Sequence, residues 1–339
     1  MPSTFFGVVP QGPLDILDYP RMGQAHVGLL RFQIDWASTD RGPGSGDEDW
    51  LASDAVVGNA ARAGIRTLPF VFDTPKWVLE RAGRRYGRLF GLYAPAGRRE
   101  LAAWGRFLSL AVDRYGPRGS FWAEHPQLPK LPITAWQIWN EQNSPSFFRP
   151  LPKVRSYARL LATAHDAITA RDPSAKIILG GMFGNPRGGT KPVIPASEYL
   201  ARLYRRPGAA GDFNGVAAHP YAGTVSEMAA QVKDLHREVA RADDNASMWI
   251  TEVGWASGGP ASSLNPGPEG QADRLAKTYA YFLAHRKRLR IKSVDWFSWR
   301  DRAFPPPGVC PWCPETGLLD ADGTPKPAFA AFTSLTGGG

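Results

Sequence analysis

Glu141, in the run Ile-Trp-Asn-Glu-Gln-Asn, and Glu252, in Trp-Ile-Thr-Glu-Val-Gly-Trp, each follow a short apolar stretch flanked by aromatic residues. A carboxylate at the end of an apolar strand is costly to bury unless it has partners or a chemical task. Two of them on separate strands suit an acid and a nucleophile facing one sugar-sized gap. Glycosidic cleavage with retention of configuration needs two carboxyls about 5–5.5 Å apart. One must stay protonated while the other stays ionised. Apolar neighbours and the partner's charge raise the acid's pKa, whereas positive charge and hydrogen bonds hold the nucleophile down.

The elements that must position this pair are legible as a repeat of strand and helix. Strand-like runs fall at 4–9, 27–36, 67–72, 133–139, 176–182, 215–219, 248–252 and 293–299. Between them, sets such as Leu160, Leu161, Ala164 and Ile168, or Leu275, Tyr279, Phe282 and Leu283, recur at helical spacing and mark one buried face. Eight such units imply a parallel sheet with right-handed crossovers closing into a (β/α)8 TIM barrel, expected as one domain over 1–339. An open doubly wound sheet would show a Gly-rich turn after its first strand, and Pro10-Gln11-Gly12-Pro13 lacks that pattern. Glu141 and Glu252 then end the fourth and seventh strands, on opposing sides of the barrel mouth. Long connections at 76–97 and 300–324 follow strands three and eight on the same face, and loops of that length are usually functional or disordered.

Other candidates follow from the two-residue period of the second strand. Arg31, Gln33 and Asp35 share the face opposite Leu30, Phe32 and Ile34, which points the polar set into the barrel. Arg31 can there hold Glu252 ionised or pair with Asp35. His219 and Tyr221 share a face of strand six. The tyrosine hydroxyl can reach the nucleophile, and the histidine reads equally as a core residue. Trp299, in Phe-Ser-Trp-Arg-Asp, is the expected sugar platform, because an indole offers a flat surface to the apolar face of a sugar ring. Trp36, Trp77, Trp139, Trp255 and Trp312 also fall near strand exits, some as core and some as walls of an aromatic-lined cleft.

Trp-Asn-Glu at the end of strand four with Thr-Glu-Val-Gly-Trp ending strand seven resembles clan A of the glycoside hydrolases, retaining enzymes on a (β/α)8 barrel. The resemblance runs from the strand-two arginine to the strand-eight tryptophan. Asp73-Thr74-Pro75-Lys76-Trp77 and His219-Pro220-Tyr221 are most similar to family 39 and its relatives that cut bacterial exopolysaccharides. The resemblance implies Glu141 as acid/base, Glu252 as nucleophile, Arg31 holding Glu252 ionised and Asn140 on the sugar's 2-hydroxyl; beside them Trp77, His219, Tyr221 and Trp299 are the expected substrate-binding residues. The chain departs at Gln142, where many members of the clan carry proline. Two other readings share these residues: a carbohydrate-binding barrel without catalysis, and a transglycosylase using the same carboxylates.

Composition bounds the alternatives. A hydrophobic fraction of 43% over 339 residues builds a large core, and 31 prolines and 36 glycines are dispersed as loop punctuation. Forty Lys plus Arg against 31 Asp plus Glu leave +9, yet no basic stripe with a reading module supports nucleic-acid binding. The cluster Arg81, Arg84, Arg85 and Arg88, with Arg98 and Arg99 behind it, reads as a solvated surface or as a contact for an anionic polysaccharide. No run reaches the length of a membrane span. The six histidines show no metal-ligand spacing, and the carboxylate pair needs no cofactor. Cys310-Pro311-Trp312-Cys313 reads as a local disulfide pinning a proline-rich loop, which leans toward an exported protein. A first strand near Thr4 leaves no room for a signal peptide, so the expectation is either a cytoplasmic protein or a leader already removed.

Overall fold

The computed structural model describes residues 3–44, 46, 48–81, 87, 89–184, 193–302 and 310–337. Nine strand segments carry the sheet: β1 (Phe6–Val9), β2 (Leu29–Asp35), β3 (Arg66–Phe72), β4 (Ala135–Ile138), β5 (Lys176–Leu179), β6 (Met182–Phe183), β7 (Gly215–His219), β8 (Ser247–Val253) and β9 (Ile291–Phe297). Their order is β5-β4-β3-β2-β1-β9-β8-β7-β6, all pairs are parallel, and β5 also pairs with β7, which closes the sheet. β5 and β6 are one barrel strand broken at Gly180-Gly181, so the barrel has eight strands, as the sequence pattern implies. Its helices are α1 (Asp18–Gln24), α2 (Trp36–Thr39), α3 (Leu51–Arg62), α4 (Lys76–Arg81), α5 (Arg98–Tyr115), α6 (Ser120–Glu124), α7 (Val154–Thr169), α8 (Ala196–Tyr204), α9 (Val225–Arg241), α10 (Gly267–His285) and α11 (Pro327–Thr336).

The helical faces read from periodicity are the buried ones. α7 buries Tyr157, Leu160, Leu161, Ala164 and Ile168, and α10 buries Leu275, Tyr279 and Phe282. Full burial of one such leucine contributes about 1.5–3 kcal/mol, so Leu160→Ala would open a hole the packed layer cannot refill.

Inside the barrel a two-residue period separates two layers. Leu29, Leu68, Ile178 and Ala217, with Ala135 and Trp249 against them, form an apolar plug. Two residues further along their strands stand Arg31 after Leu29, Gln137 after Ala135, His219 after Ala217 and Thr251 after Trp249, all buried. The strand period therefore stacks a polar layer on the plug, toward the carboxyl ends of the strands. Asp295 joins it from β9, facing Gly7 of β1, where a Cβ would fall 2.0 Å from its Oδ1. Only a residue without a side chain fits opposite that carboxyl.

Several expected strand ends differ: β2 stops at Asp35 and β9 at Phe297, short of Trp36 and Trp299, and two more differ at the glutamates. β4 stops at Ile138, and Trp139 (φ 72°) and Glu141 (φ 40°) sit in a left-handed turn beyond it. β8 runs past Glu252 to Val253 and carries a register irregularity against β9 between Ile250 and Val253. The long connections also carry local structure among their described residues. The first contains α4 and a 3-10 turn at Phe90–Leu92, the second a 3-10 turn at Cys313–Glu315.

Candidate active site

Glu141 reaches the barrel mouth because its turn is pinned on both sides. Trp139 N donates to Val71 O (3.0 Å) and Glu141 N to Gly181 O (3.1 Å). Gly181 is needed there, since a Cβ would lie 1.9 Å from His219 Nε2. A non-glycine residue at positive φ costs about 1–3 kcal/mol and persists where surrounding contacts over-determine it, commonly at functional sites. Glu252 arrives differently. Strict alternation would turn it outward, because its neighbour Thr251 points in. The irregularity of β8 lets consecutive residues Thr251 and Glu252 both face the interior, as a bulge does.

Arg31 is wholly buried and divides its guanidinium among three acceptors: Glu252 Oε1 (2.7 Å), Asn140 Oδ1 (2.8 Å) and Gln137 Oε1 (2.6 Å). Its carbon lies 4.1 Å from the centre of the Phe70 ring. The alternative pairing with Asp35 does not form, because that carboxylate instead accepts Ser38 N (3.1 Å) and caps α2. Tyr221 donates its hydroxyl to Glu252 Oε2 (2.8 Å). Both oxygens of Glu252 thus have donors.

Glu141 is held by a histidine. His219, fully buried, places Nδ1 3.0 Å from Glu141 Oε1 and 3.5 Å from Glu252 Oε2, with Nε2 3.1 Å from Thr251 Oγ1. Burial, and then the charge of Arg31, push its pKa well below the ordinary histidine value, so the ring is neutral. Gln137 Nε2 donates to Thr251 Oγ1 (3.2 Å) and to Leu179 O (3.1 Å). The Thr251 hydroxyl can accept from Gln137 while donating its own proton to His219 Nε2, and in that arrangement the remaining ring proton sits on Nδ1, aimed at Glu141. One chain of hydrogen bonds therefore runs from Glu252 through Arg31, Gln137, Thr251 and His219 to Glu141.

The two carboxyls are electrostatically unlike. Burial raises both pKa values. The charge of Glu252 then raises Glu141 further, whereas Arg31 and the Tyr221 hydroxyl pull Glu252 back down. The proton shared by the pair accordingly sits on Glu141 while Glu252 carries the charge. One ligand atom each from Glu141, His219 and Glu252 lies within 4.8 Å of the others. Such a donor set can hold a divalent ion. Here Arg31 and Tyr221 already engage both oxygens of Glu252, and the guanidinium charge beside that carboxylate disfavours a second cation.

The aromatic expectation needs correction. Trp299 is fully buried, donates Nε1 to Asp18 Oδ1 (2.9 Å) and packs on Phe329, so it offers no face to a ligand. Trp36, Trp139 and Trp255 are core as well. Trp77 stays half-buried with Nε1 on Asp40 O (2.9 Å). Beside Tyr221 stand Phe297, the last residue of β9 (centroids 6.1 Å apart), and Trp312 (5.0 Å), both partly exposed. The expected bridge between Cys310 and Cys313 is present and brackets Trp312. Gln11 Nε2 ties that loop to the β1 exit by donating to Cys313 O (2.5 Å), Ser298 Oγ (2.7 Å) and Thr316 Oγ1 (2.8 Å). Of the first arginine cluster, Arg84, Arg85, Arg88 and the Arg81 side chain lie outside the described residues, while Arg98 and Arg99 are exposed at the start of α5. Gln137, Thr251 and Phe297 were not singled out from sequence. The signal for Gln137 was a polar residue inside Ala-Trp-Gln-Ile-Trp.

The chain matches no protein-family model and no curated protein sequence. Its structure is similar to a family 39 glycoside hydrolase from the gut symbiont Bacteroides cellulosilyticus WH2 (TM-score 0.71, 21% identity), covering 99% of this chain and 63% of that one. It is also similar to a monomeric β-xylosidase from Caulobacter crescentus CB15 (TM-score 0.69, 14% identity; 99% and 68%). A family 10 endoxylanase from a sugarcane soil metagenome matches with TM-score 0.62 and 15% identity (98% and 96%). At these identities the likeness is one of fold, shared with several clan A (β/α)8 barrels.

Proposed function

We propose that this protein is a glycoside hydrolase acting with retention, with Glu252 as nucleophile and Glu141 as acid/base. The observation that carries the reading is the convergence of two unlike carboxyls with ligand atoms within 4.8 Å, one served by Arg31 and Tyr221, the other by a neutral His219. That approach is in keeping with the short separation of retaining sites, about 5–5.5 Å, rather than the about 6.5–9.5 Å of inverting pairs.

Ionised Glu252 attacks the anomeric carbon as the glycosidic C–O bond breaks, and Glu141 delivers its proton to the departing oxygen. Loss of that proton leaves Glu141 as the base for the second half. It takes a proton from water, the oxygen adds to the anomeric carbon, and the Glu252 ester is released. Asn140, oriented by Arg31, is placed to hold the sugar's 2-hydroxyl, and His219 orients the acid. Trp77, Phe297 and Trp312 supply partly exposed aromatic surface for sugar faces in place of Trp299. β-Linked glycosides or a microbial polysaccharide are the proposed substrates, in keeping with the xylan- and xyloside-cleaving enzymes that share the fold. The chemistry is carried by the carboxylate pair, without a cofactor.

The test is intact-protein mass spectrometry after exposure to activated 2-fluoro glycosides of several sugars, with peptide mapping of any adduct. Label on Glu252 supports nucleophile and retention together. No adduct from any sugar, with oligosaccharide affinity intact in Glu252→Gln and no cleavage of a broad glycan panel by the wild type, would replace hydrolysis with sugar binding.

A further inference from the structure

At the end of the barrel opposite the carboxylates, the turn between α10 and β9 reads Arg286-Lys287-Arg288-Leu289-Arg290-Ile291-Lys292. Five of its seven residues are cationic, against a net charge of +9 for the whole chain. Several other surface cations are paired. Arg202 meets Glu198, Arg237 meets Asp234, Arg241 meets Glu238, Lys277 meets Asp273, and Arg114 meets both Asp54 and Glu124. None of the five forms an ion pair among the described residues. Crowding like charges without partners weakens the folded state, a cost that arrival of a counter-charge removes.

The turn is ordered. Leu289 and Ile291 are buried anchors, Leu289 N donates to His285 O (2.9 Å), Ile291 N to Arg286 O (3.0 Å), and Met248 N to Arg290 O (3.1 Å). A concavity of about 250 Å³ is lined by Arg286, Lys287, Arg290 and Lys292 together with Asn245 and Ser247 at the start of β8. The acid beside it is committed elsewhere. Asp244 accepts Asn245 N, Ala246 N and the Tyr204 hydroxyl with its carboxylate, and gives only its backbone carbonyl to Arg290 Nη1 (3.3 Å). The positive field reaches His236 on α9, whose pKa burial lowers and the charges of Arg290 and Arg288 lower further.

We infer that this basal concavity is a binding site for a multivalent phosphate, either a free oligophosphate or phosphate groups displayed on a surface. Arginine forks match phosphate oxygens two at a time, and lysines add point charge. The space exceeds one phosphate, and the four cations lining it favour a ligand of several negative charges over a monovalent anion. The site lies on the face where barrel strands begin, away from the catalytic mouth, so it stands independently of the proposed hydrolysis.

The probe is tripolyphosphate titrated by calorimetry into the full chain over a salt series, with hydrogen exchange mapping in parallel. Phosphatidylglycerol vesicles against phosphatidylcholine vesicles form a second arm. Expected are saturable binding that weakens with salt, protection confined to 245–247 and 286–292, and a loss of at least about tenfold in affinity in Arg286→Gln/Arg290→Gln. The control Arg98→Gln/Arg99→Gln, exposed cations on the catalytic face, should change affinity less than about twofold. Tripolyphosphate binding lost in the basal variant supports a soluble ligand, and vesicle binding lost in that variant supports a phosphate-bearing surface. Equal loss in both variants, binding retained in a folded basal variant, or no binding with either probe overturns the site. If the basal pair fails to fold, the exchange map on wild type still decides, since protection elsewhere refutes it.

Discussion

Replacing Arg31 with methionine removes the guanidinium that binds the proposed nucleophile while keeping comparable bulk in the barrel interior. Arg31 Nη1 sits 2.7 Å from Glu252 Oε1, which places the charge centres about 4 Å apart. At an effective dielectric of about 20 that attraction is about 4 kcal/mol, or about 3 pKa units at roughly 1.4 kcal/mol per unit. Water entering the vacated space and coupling to Glu141 reduce this to about 2 units. The sign follows from the charge. Arg31 holds Glu252 down, so its loss raises the pKa of a carboxyl that burial has already raised, and the ionised nucleophile is then present only at higher pH. In a pH profile of kcat/KM the acid limb should move up by about 2 units, and at pH values below the wild-type limb the rate should fall by up to about 100-fold. Arg31→Lys keeps the charge but not the fork. It should recover most of the limb position while leaving a lower plateau, because Asn140 and Gln137 lose their donors. Circular dichroism and urea melts of both variants separate misfolding from electrostatics. An acid limb within about half a unit of wild type in a folded Arg31→Met would refute the claim that Arg31 sets the charge state of Glu252.

The relay behind the acid gives a second expectation. Gln137→Leu leaves Arg31 Nε without its acceptor and removes one donor from Thr251 Oγ1, so urea melts should show about 1–3 kcal/mol less stability and the alkaline limb of kcat should shift. Asp295 is buried with neither oxygen hydrogen-bonded, and its pKa is pushed up to about 8, chiefly by burial and against the pull of Arg31. Ser293 Oγ tempers that shift without reaching hydrogen-bond geometry. An acid raised on folding binds more protons in the native state, so its contribution to stability declines as pH rises from about 4 toward 8. Asp295→Asn should flatten that decline in urea melts at pH 5 and pH 8, and parallel slopes in both proteins would show the group does not titrate there. Reducing Cys310–Cys313, or the double serine variant, should loosen Trp312 against Tyr221 and lower kcat/KM several-fold, with Trp312→Phe retaining more activity than Trp312→Ala. Unchanged kinetics in all of these would make the bracketed loop irrelevant to catalysis.

Local pattern was enough for the eight barrel strands, the buried faces of α7 and α10 and the inward placement of Arg31 on β2, because strand and helix periods are properties of neighbouring residues. It was also enough to place Tyr221 with Glu252. Three features depended on the closed structure. The choice of Glu252 over Asp35 for Arg31 rests on cross-barrel distances that no one strand encodes. The irregularity in β8 that turns Thr251 and Glu252 to one side breaks the alternation from which facing is read. Burial of Trp299 against Asp18 and Phe329, leaving aromatic surface to Phe297 and Trp312, was settled by α1 and α11 closing over it from the two ends of the chain. A sequence period tells which way a side chain leaves its own backbone. Only the packed neighbours determine whether water, a ligand or another element meets it there.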